Sequence, residues 1–102
     1  MTDRPYSILI IEDELPIRRF LRAALSVGAY QLSEATTAAE GLTQAATIRP
    51  DLIILDLGLP DSDGLDLTRQ LREWTNVPII VLSARGQEQD KVAALDAGAD
   101  DY

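Results

Sequence analysis

The chain has 102 residues, 17 acidic against 9 basic, no histidine and no cysteine, for a formal net charge of -8 at pH 7. That length supports one domain, and the missing residue types exclude disulfides, thiolate chemistry, histidine general-base catalysis and His-ligated zinc. A surface this acidic repels phosphate backbones, so this stretch is not expected to bind nucleic acid by itself.

The elements follow in chain order. Ile8-Leu9-Ile10-Ile11 predicts a first strand, and Ile17, Phe20, Leu21, Ala24 and Leu25 then follow one face of a helix that Gly28 ends in a left-handed cap. Tyr30-Gln31-Leu32-Ser33 alternates and reads as an edge strand. Thr37 and Glu40 form a capping box for a second helix through Leu42, Ala45 and Ala46. Leu52-Ile53-Ile54-Leu55 is a third strand, Leu67, Leu71 and Trp74 mark a third helix, and Ile79-Ile80-Val81-Leu82 is a fourth strand. Val92 and Leu95 mark a fourth helix, with Gly98 just past its end. Three of the runs are continuously apolar, as strands covered on both faces require.

Strand followed by helix, repeated along the chain, predicts a doubly wound parallel α/β sheet over residues 1–102. A further strand would be expected after the fourth helix, where the chain stops at Tyr102; the domain is therefore read as C-terminally incomplete, with a fifth strand and helix missing. No apolar run exceeds four residues, far short of the roughly 20 a membrane helix needs. No apolar leader follows Met1-Thr2-Asp3-Arg4-Pro5, so a cytoplasmic location with no membrane partner is expected.

Ligands of open parallel sheets gather outside the carboxyl ends of the strands. Those ends carry Glu12-Asp13-Glu14, Asp56 and Ser83-Ala84. With strand order 2-1-3-4 the first and third strands are neighbours, and Glu12, Asp13 and Asp56 crowd one rim. Carboxylates so close need a positive guest, and Mg²⁺ suits them because it takes one or two carboxylates and leaves positions for phosphate oxygens. Asp56 closes a strand and is followed by Leu57-Gly58-Leu59-Pro60; Gly58 leaves room for its backbone carbonyl to face the metal and for a phosphoryl group to approach. Asp56 is thus a candidate covalent phosphoryl acceptor, with the Ser83 hydroxyl and the Ala84 backbone N–H as donors to phosphoryl oxygens. Taken singly, the Glu-Asp pair reads as a complement to a helix dipole, Asp56 as a turn residue and Ser83 as a strand terminator. Asp61-Ser62-Asp63-Gly64 echoes a calcium loop, but Leu59 and Gln70 occupy its first and last ligand positions. Asp61 and Asp63 are instead expected to shape the turn and cap the third helix.

These residues resemble the receiver domain of bacterial two-component response regulators. The carriers are Ile11-Glu12-Asp13-Glu14, Asp51 through Asp56, Leu59-Pro60-Asp61-Ser62-Asp63-Gly64, Pro78 through Ala84, and Ala97-Gly98-Ala99-Asp100-Asp101-Tyr102. The resemblance implies a flavodoxin-like fold, Asp56 as phosphoacceptor from a sensor histidine kinase, and Mg²⁺ held by Asp13, Glu12, Asp56 and the Gly58 carbonyl. It implies Ser83 as the hydroxyl that follows the phosphoryl group and Tyr102 as the aromatic that swings inward with it. Ser83-Ala84-Arg85-Gly86 is similar to the subfamily that joins a receiver to a winged-helix DNA-binding domain. Asp56-Leu57-Gly58-Leu59-Pro60 and Ile17 through Arg22 resemble its potassium-transport (Kdp-system) branch. Transcriptional control, homodimerisation on activation, and DNA contact only through a domain absent here are what that implies. The family's lysine after the switch aromatic has no counterpart: Lys91, the chain's one lysine, falls on the fourth helix. The competing reading is a pseudo-receiver, an interaction module that takes no phosphate. An enzyme of the haloacid dehalogenase type is the weaker rival, since Gly58 stands where that chemistry needs a second aspartate; turnover of a generic phosphomonoester would revive it.

Overall fold

Unbroken runs of branched apolar side chains favour extended backbone covered on both sides. In the computed structural model, which describes residues 5–83 and 88–102, each such run is a strand. The strands β1 (Tyr6–Ile11), β2 (Tyr30–Ala35), β3 (Leu52–Asp56) and β4 (Ile79–Leu82) alternate with the helices α1 (Leu15–Leu25), α2 (Ala38–Ile48), α3 (Gly64–Arg72) and α4 (Glu88–Asp96). All pairings are parallel and the order is β2-β1-β3-β4, as expected, with β2 at an edge. Register is fixed at the amino end by a reciprocal clasp. The Ser7 amide donates to Asp51 Oδ2 at 2.8 Å, and the Asp51 amide donates to the Ser7 carbonyl at 2.7 Å.

Side chains leave a strand to alternate faces, and the core divides accordingly. Leu9, Ile11, Ile53, Leu55, Ile79 and Val81 point to one face, where Ala45 of α2, Leu67 and Leu71 of α3 and Ala94 of α4 cover them. Ile8, Ile10 and Ile54 point to the other, where Leu21 and Leu25 of α1 lie. No residue of α1 is fully buried, so this second face is the thinner one.

Each of the four helices departs from its expected reading. Phe20 is 69% exposed and Ala24 is also exposed, because the apolar packing of α1 on the sheet runs through Leu21 and Leu25, with Ile17 half-buried. Ala46 is likewise exposed on α2, where Ala38, Gly41 and Ala45 form the buried stripe. Trp74 lies beyond the end of α3 and is half exposed. On α4 the inner residue is the small Ala94, while Val92 and Leu95 face outward; small side chains let a helix lie close, which ranking by hydrophobic size misses. Gly28 is no left-handed cap. Helix α1 ends on Ser26 in right-handed geometry, and the positive φ angles among the described residues belong to Arg49 and Gly98. Thr37 caps α2 as expected, with the Glu40 amide donating to Thr37 Oγ1 at 3.1 Å, but the return bond of the capping box is displaced by one residue, Glu40 Oε1 accepting from the Thr36 amide at 2.7 Å.

Helix α3 begins flush against β3. A Cβ on Gly64 would stand 2.5 Å from the Asp56 carbonyl oxygen and 2.6 Å from Leu57 Cα, backbone atoms that cannot swing aside. Gly64→Ala is therefore expected to cost about 1–3 kcal/mol of stability, as overpacking does. A urea titration should show a lower midpoint at unchanged m-value; an unchanged midpoint would mean that the contact relaxes freely.

Candidate functional site

Because β1 and β3 are adjacent with Ile11 opposite Leu55, the residues that follow them, Glu12 and Asp56, emerge at one level on the carboxyl edge. Ser83 follows β4 directly, and Asp56 is registered with Leu82 beside it. The structure thus brings Glu12, Asp13 and Asp56 together: one carboxylate oxygen from each lies within 4.8 Å of the others. Glu12 is buried, Asp56 half-buried and Asp13 exposed. Among the described residues no arginine or lysine pairs with any of the three.

Glu12 carries the greatest strain of charge. It is 3% exposed, and its Oε2 is buried with no hydrogen-bond partner among the described residues. Burial, and after it the neighbouring Asp56 carboxylate, push its carboxyl from the ordinary 4.5 up to about 8. Three converging carboxylates, one with an orphaned oxygen, fit a hard oxygen-seeking divalent cation.

The loop after β3 is built to hold Asp56 still. Leu57 and Leu59 are buried, continuing the alternation of the strand, while Gly58 and Pro60 face solvent. The Gly58 amide donates to Asp56 Oδ2 at 2.9 Å, and the Gly64 amide closes the loop onto the Leu57 carbonyl at 2.9 Å. Gly58 and Asp63 form an isolated antiparallel bridge. Asp63 caps α3, accepting from the Leu65 amide at 2.9 Å. Asp61 does not cap α3, as had been expected from sequence, but reaches α2. There it accepts from the Ala38 and Ala39 amides at 2.7 and 3.1 Å, bonds that hold its carboxyl below the usual range. Both carboxylates are thereby committed to helix amides, in keeping with the rejection of a calcium loop.

Ser83 is half-buried at the end of β4. Ala84 lies outside the described residues. Asp101 bridges to Ile80 of β4, and Tyr102 follows it with its ring packed against the larger core cluster and its hydroxyl buried without a partner among the described residues. A cavity of about 440 Å³ lined by Ala45, Arg49, Pro50, Ile53, Trp74 and Val77 opens at the amino end of the sheet and contains none of these residues.

Sequence reasoning missed two supports of the site. One is Asp61, which ties the Asp56 loop to α2. The other is Arg18 of α1, whose NH1 donates to the Glu12 carbonyl at 2.9 Å while its Nε donates to Glu34 Oε1 of β2 at 3.1 Å. Contacts that cross between distant elements leave no local spacing; the one available signal is an arginine pair, Arg18 and Arg22, at helical spacing with a lone glutamate on the neighbouring edge strand.

A doubly wound parallel sheet with acids gathered on its carboxyl edge defines the class of open α/β domains, whose ligand sites lie outside the carboxyl ends of the strands. The response regulator receiver domain family matches residues 8–102, and the chain belongs to that family. It is 62% identical over 96 residues to the KDP operon transcriptional regulatory protein KdpE of Escherichia coli strain K12, an alignment covering 94% of this chain and 43% of that protein. The chain therefore spans less than half the length of that curated relative. Among solved structures, a response regulator from Chloroflexus aurantiacus matches with a TM-score of 0.90 at 32% identity, covering 97% of this chain and 84% of that one. The BeF3-activated N-terminal receiver domain of Klebsiella pneumoniae RstA matches with a TM-score of 0.90 at 28% identity, over 94% of this chain and 82% of that one. No helix among the described residues is long and apolar enough to cross a membrane.

The position of Glu12 sets a pH dependence. A carboxyl at about 8 when folded and 4.5 ordinarily binds its proton more tightly in the folded state. Its stabilising effect is complete below 4.5 and is lost as pH rises through 8. In chelator, the thermal midpoint followed by circular dichroism should fall across that window by several degrees, and Glu12→Gln should flatten the slope. Parallel slopes for the two proteins would remove Glu12 as its source.

Proposed function

We propose that this chain is the phosphoacceptor receiver domain of a KdpE-like transcriptional response regulator, with Asp56 as the acceptor. The convergence of Glu12, Asp13 and Asp56 within 4.8 Å is the observation that carries the reading. Glu12, Asp13 and Asp56, with the Gly58 carbonyl, would hold Mg²⁺, which when bound neutralises charge on the transferring phosphoryl group.

A sensor histidine kinase presents phosphohistidine. An Asp56 carboxylate oxygen attacks phosphorus, the P–O bond forms, the P–N bond breaks, and the electron pair leaves with the imidazole nitrogen. Such transfers ask for position and charge stabilisation more than covalent chemistry from the protein. Position is what the loop supplies, with Asp56 Oδ2 held by the Gly58 amide and the loop pinned by Leu57, Leu59 and Gly64. Ser83, next to the registered pair Asp56 and Leu82, would donate its hydroxyl to a phosphoryl oxygen, with the Ala84 amide beside it.

The acyl phosphate adds roughly -1.5 to -2 charges to this rim. Ser83 would move toward it and Tyr102 follow inward, shifting the surface around α4. In the whole protein that shift would promote homodimerisation and place DNA-binding domains outside this chain on their target. The net charge of -8 keeps DNA contact away from the receiver itself. The setting is cytoplasmic and the domain is a signalling module rather than an enzyme.

Acetyl phosphate with Mg²⁺ should give one phosphoryl adduct by intact-mass analysis, abolished in Asp56→Asn and by chelator. An adduct that persists in Asp56→Asn would sink the acceptor assignment. No adduct on the parent chain would favour the pseudo-receiver.

A further inference from the structure

Glu12 has both of its backbone polar groups tied. Its amide donates to the Ala35 carbonyl of β2 at 2.9 Å, and its carbonyl accepts from Arg18 NH1 at 2.9 Å. Arg18 is itself immobilised. Its side chain is 15% exposed, its Nε is fixed on Glu34 at 3.1 Å, and Glu34, 18% exposed, is held from the other side by Arg22. The Glu34 backbone is anchored in turn, its carbonyl accepting from Gln44 Nε2 of α2 at 2.9 Å. A planar guanidinium bonded at two edges is a rigid spacer, here set between the edge strand and the peptide that joins Glu12 to Asp13.

We propose that Arg18 is a positioning residue for the cation site: oriented by Glu34, it fixes the Glu12–Asp13 peptide and so the directions in which both side chains present their carboxylates. The inference rests on the Mg²⁺ reading above and deepens it by naming what aligns two of the ligands.

Geometry and simple charge predict opposite signs. Arg18 is a positive charge near a cation site, so deleting it should, on Coulomb's law alone, tighten Mg²⁺ binding. If Arg18 acts through position, deleting it weakens binding, as loss of an outer-shell partner does, by roughly tenfold. Isothermal titration of the full chain with MgCl₂ separates the two, with thermal midpoints recorded so that every variant is titrated while folded. The expected result is weaker binding in Arg18→Met by roughly tenfold. Arg18→Lys, which keeps the charge but cannot bond two partners in one plane, should weaken binding several-fold. Arg22→Met, which removes the same charge from the same glutamate without touching Glu12, should bind as well as the parent or slightly better. Should Arg18→Met fail to fold, Arg18→Lys carries the test. Undiminished binding in the folded Arg18 variants overturns the inference while leaving the Mg²⁺ reading intact, as does equal weakening in Arg22→Met. A parent chain that binds no Mg²⁺ overturns both.

Discussion

Glu12 and Asp56 stand against each other because β1 and β3 are parallel neighbours in a fixed register. Two carboxyls in that position repel, and burying one of them makes the repulsion harder to screen. The site is therefore a place where the fold keeps negative charge at a disadvantage, visible in the raised Glu12 carboxyl and in its oxygen that finds no partner among the described residues. Whatever relieves that disadvantage, a proton or a divalent cation, binds with help from the architecture. The chemistry proposed for Asp56 depends on this opposition more than on any other contact.

Keeping two repelling groups together requires that neither can retreat. On the β3 side, buried Leu57 and Leu59 drive the loop into the core, and Asp61 and Asp63 nail it to the first turns of two helices. Gly64 lets α3 start against the strand without a side chain in between. On the β1 side the restraint comes from the opposite flank, through Ala35, Arg18 and Glu34 of the β2 region and α1. The two halves of the site are thus braced from different faces of the sheet, and a change on either face reaches the same acids.

Much of this is legible in the sequence. Continuous apolar runs at Ile8, Leu52 and Ile79 mark strands covered on both faces and the alternating run at Tyr30 marks the edge, whereas the order 2-1-3-4 enters with the family resemblance and is the order observed. Strand ends are defined by sequence, so the meeting of Glu12, Asp13 and Asp56 followed from order alone. Helix faces were read less well. Leu67 and Leu71 lie inside as their spacing implies, yet Phe20, Trp74, Val92 and Leu95, also large and apolar, lie at or above two-fifths exposure while Ala94 is fully buried. A helix chooses its inner face by how closely it can approach, and size alone does not report that. By sequence alone Asp61 resembles a cap for the nearer helix, local capping being the common case; its partners lie 22 and 23 positions earlier in the chain and become neighbours only after folding.

The same distinction explains why the acids could be found from sequence and their supports could not. A carboxylate earns notice by its own chemistry at a strand end, whereas Arg18 has ordinary helix-surface chemistry until its partners are known. Its positive charge is already committed to Glu34, so it does not neutralise the cluster that it borders. Had that guanidinium turned to the carboxylates, the site would hold an internal counterion and have far less need of a divalent one. Directing it to the Glu12 carbonyl instead leaves the acids aligned and, among the described residues, still uncompensated. An aligned and uncompensated set of acids is what a phosphoryl-accepting rim requires, because its stabilising charge must arrive with the cation rather than with the chain.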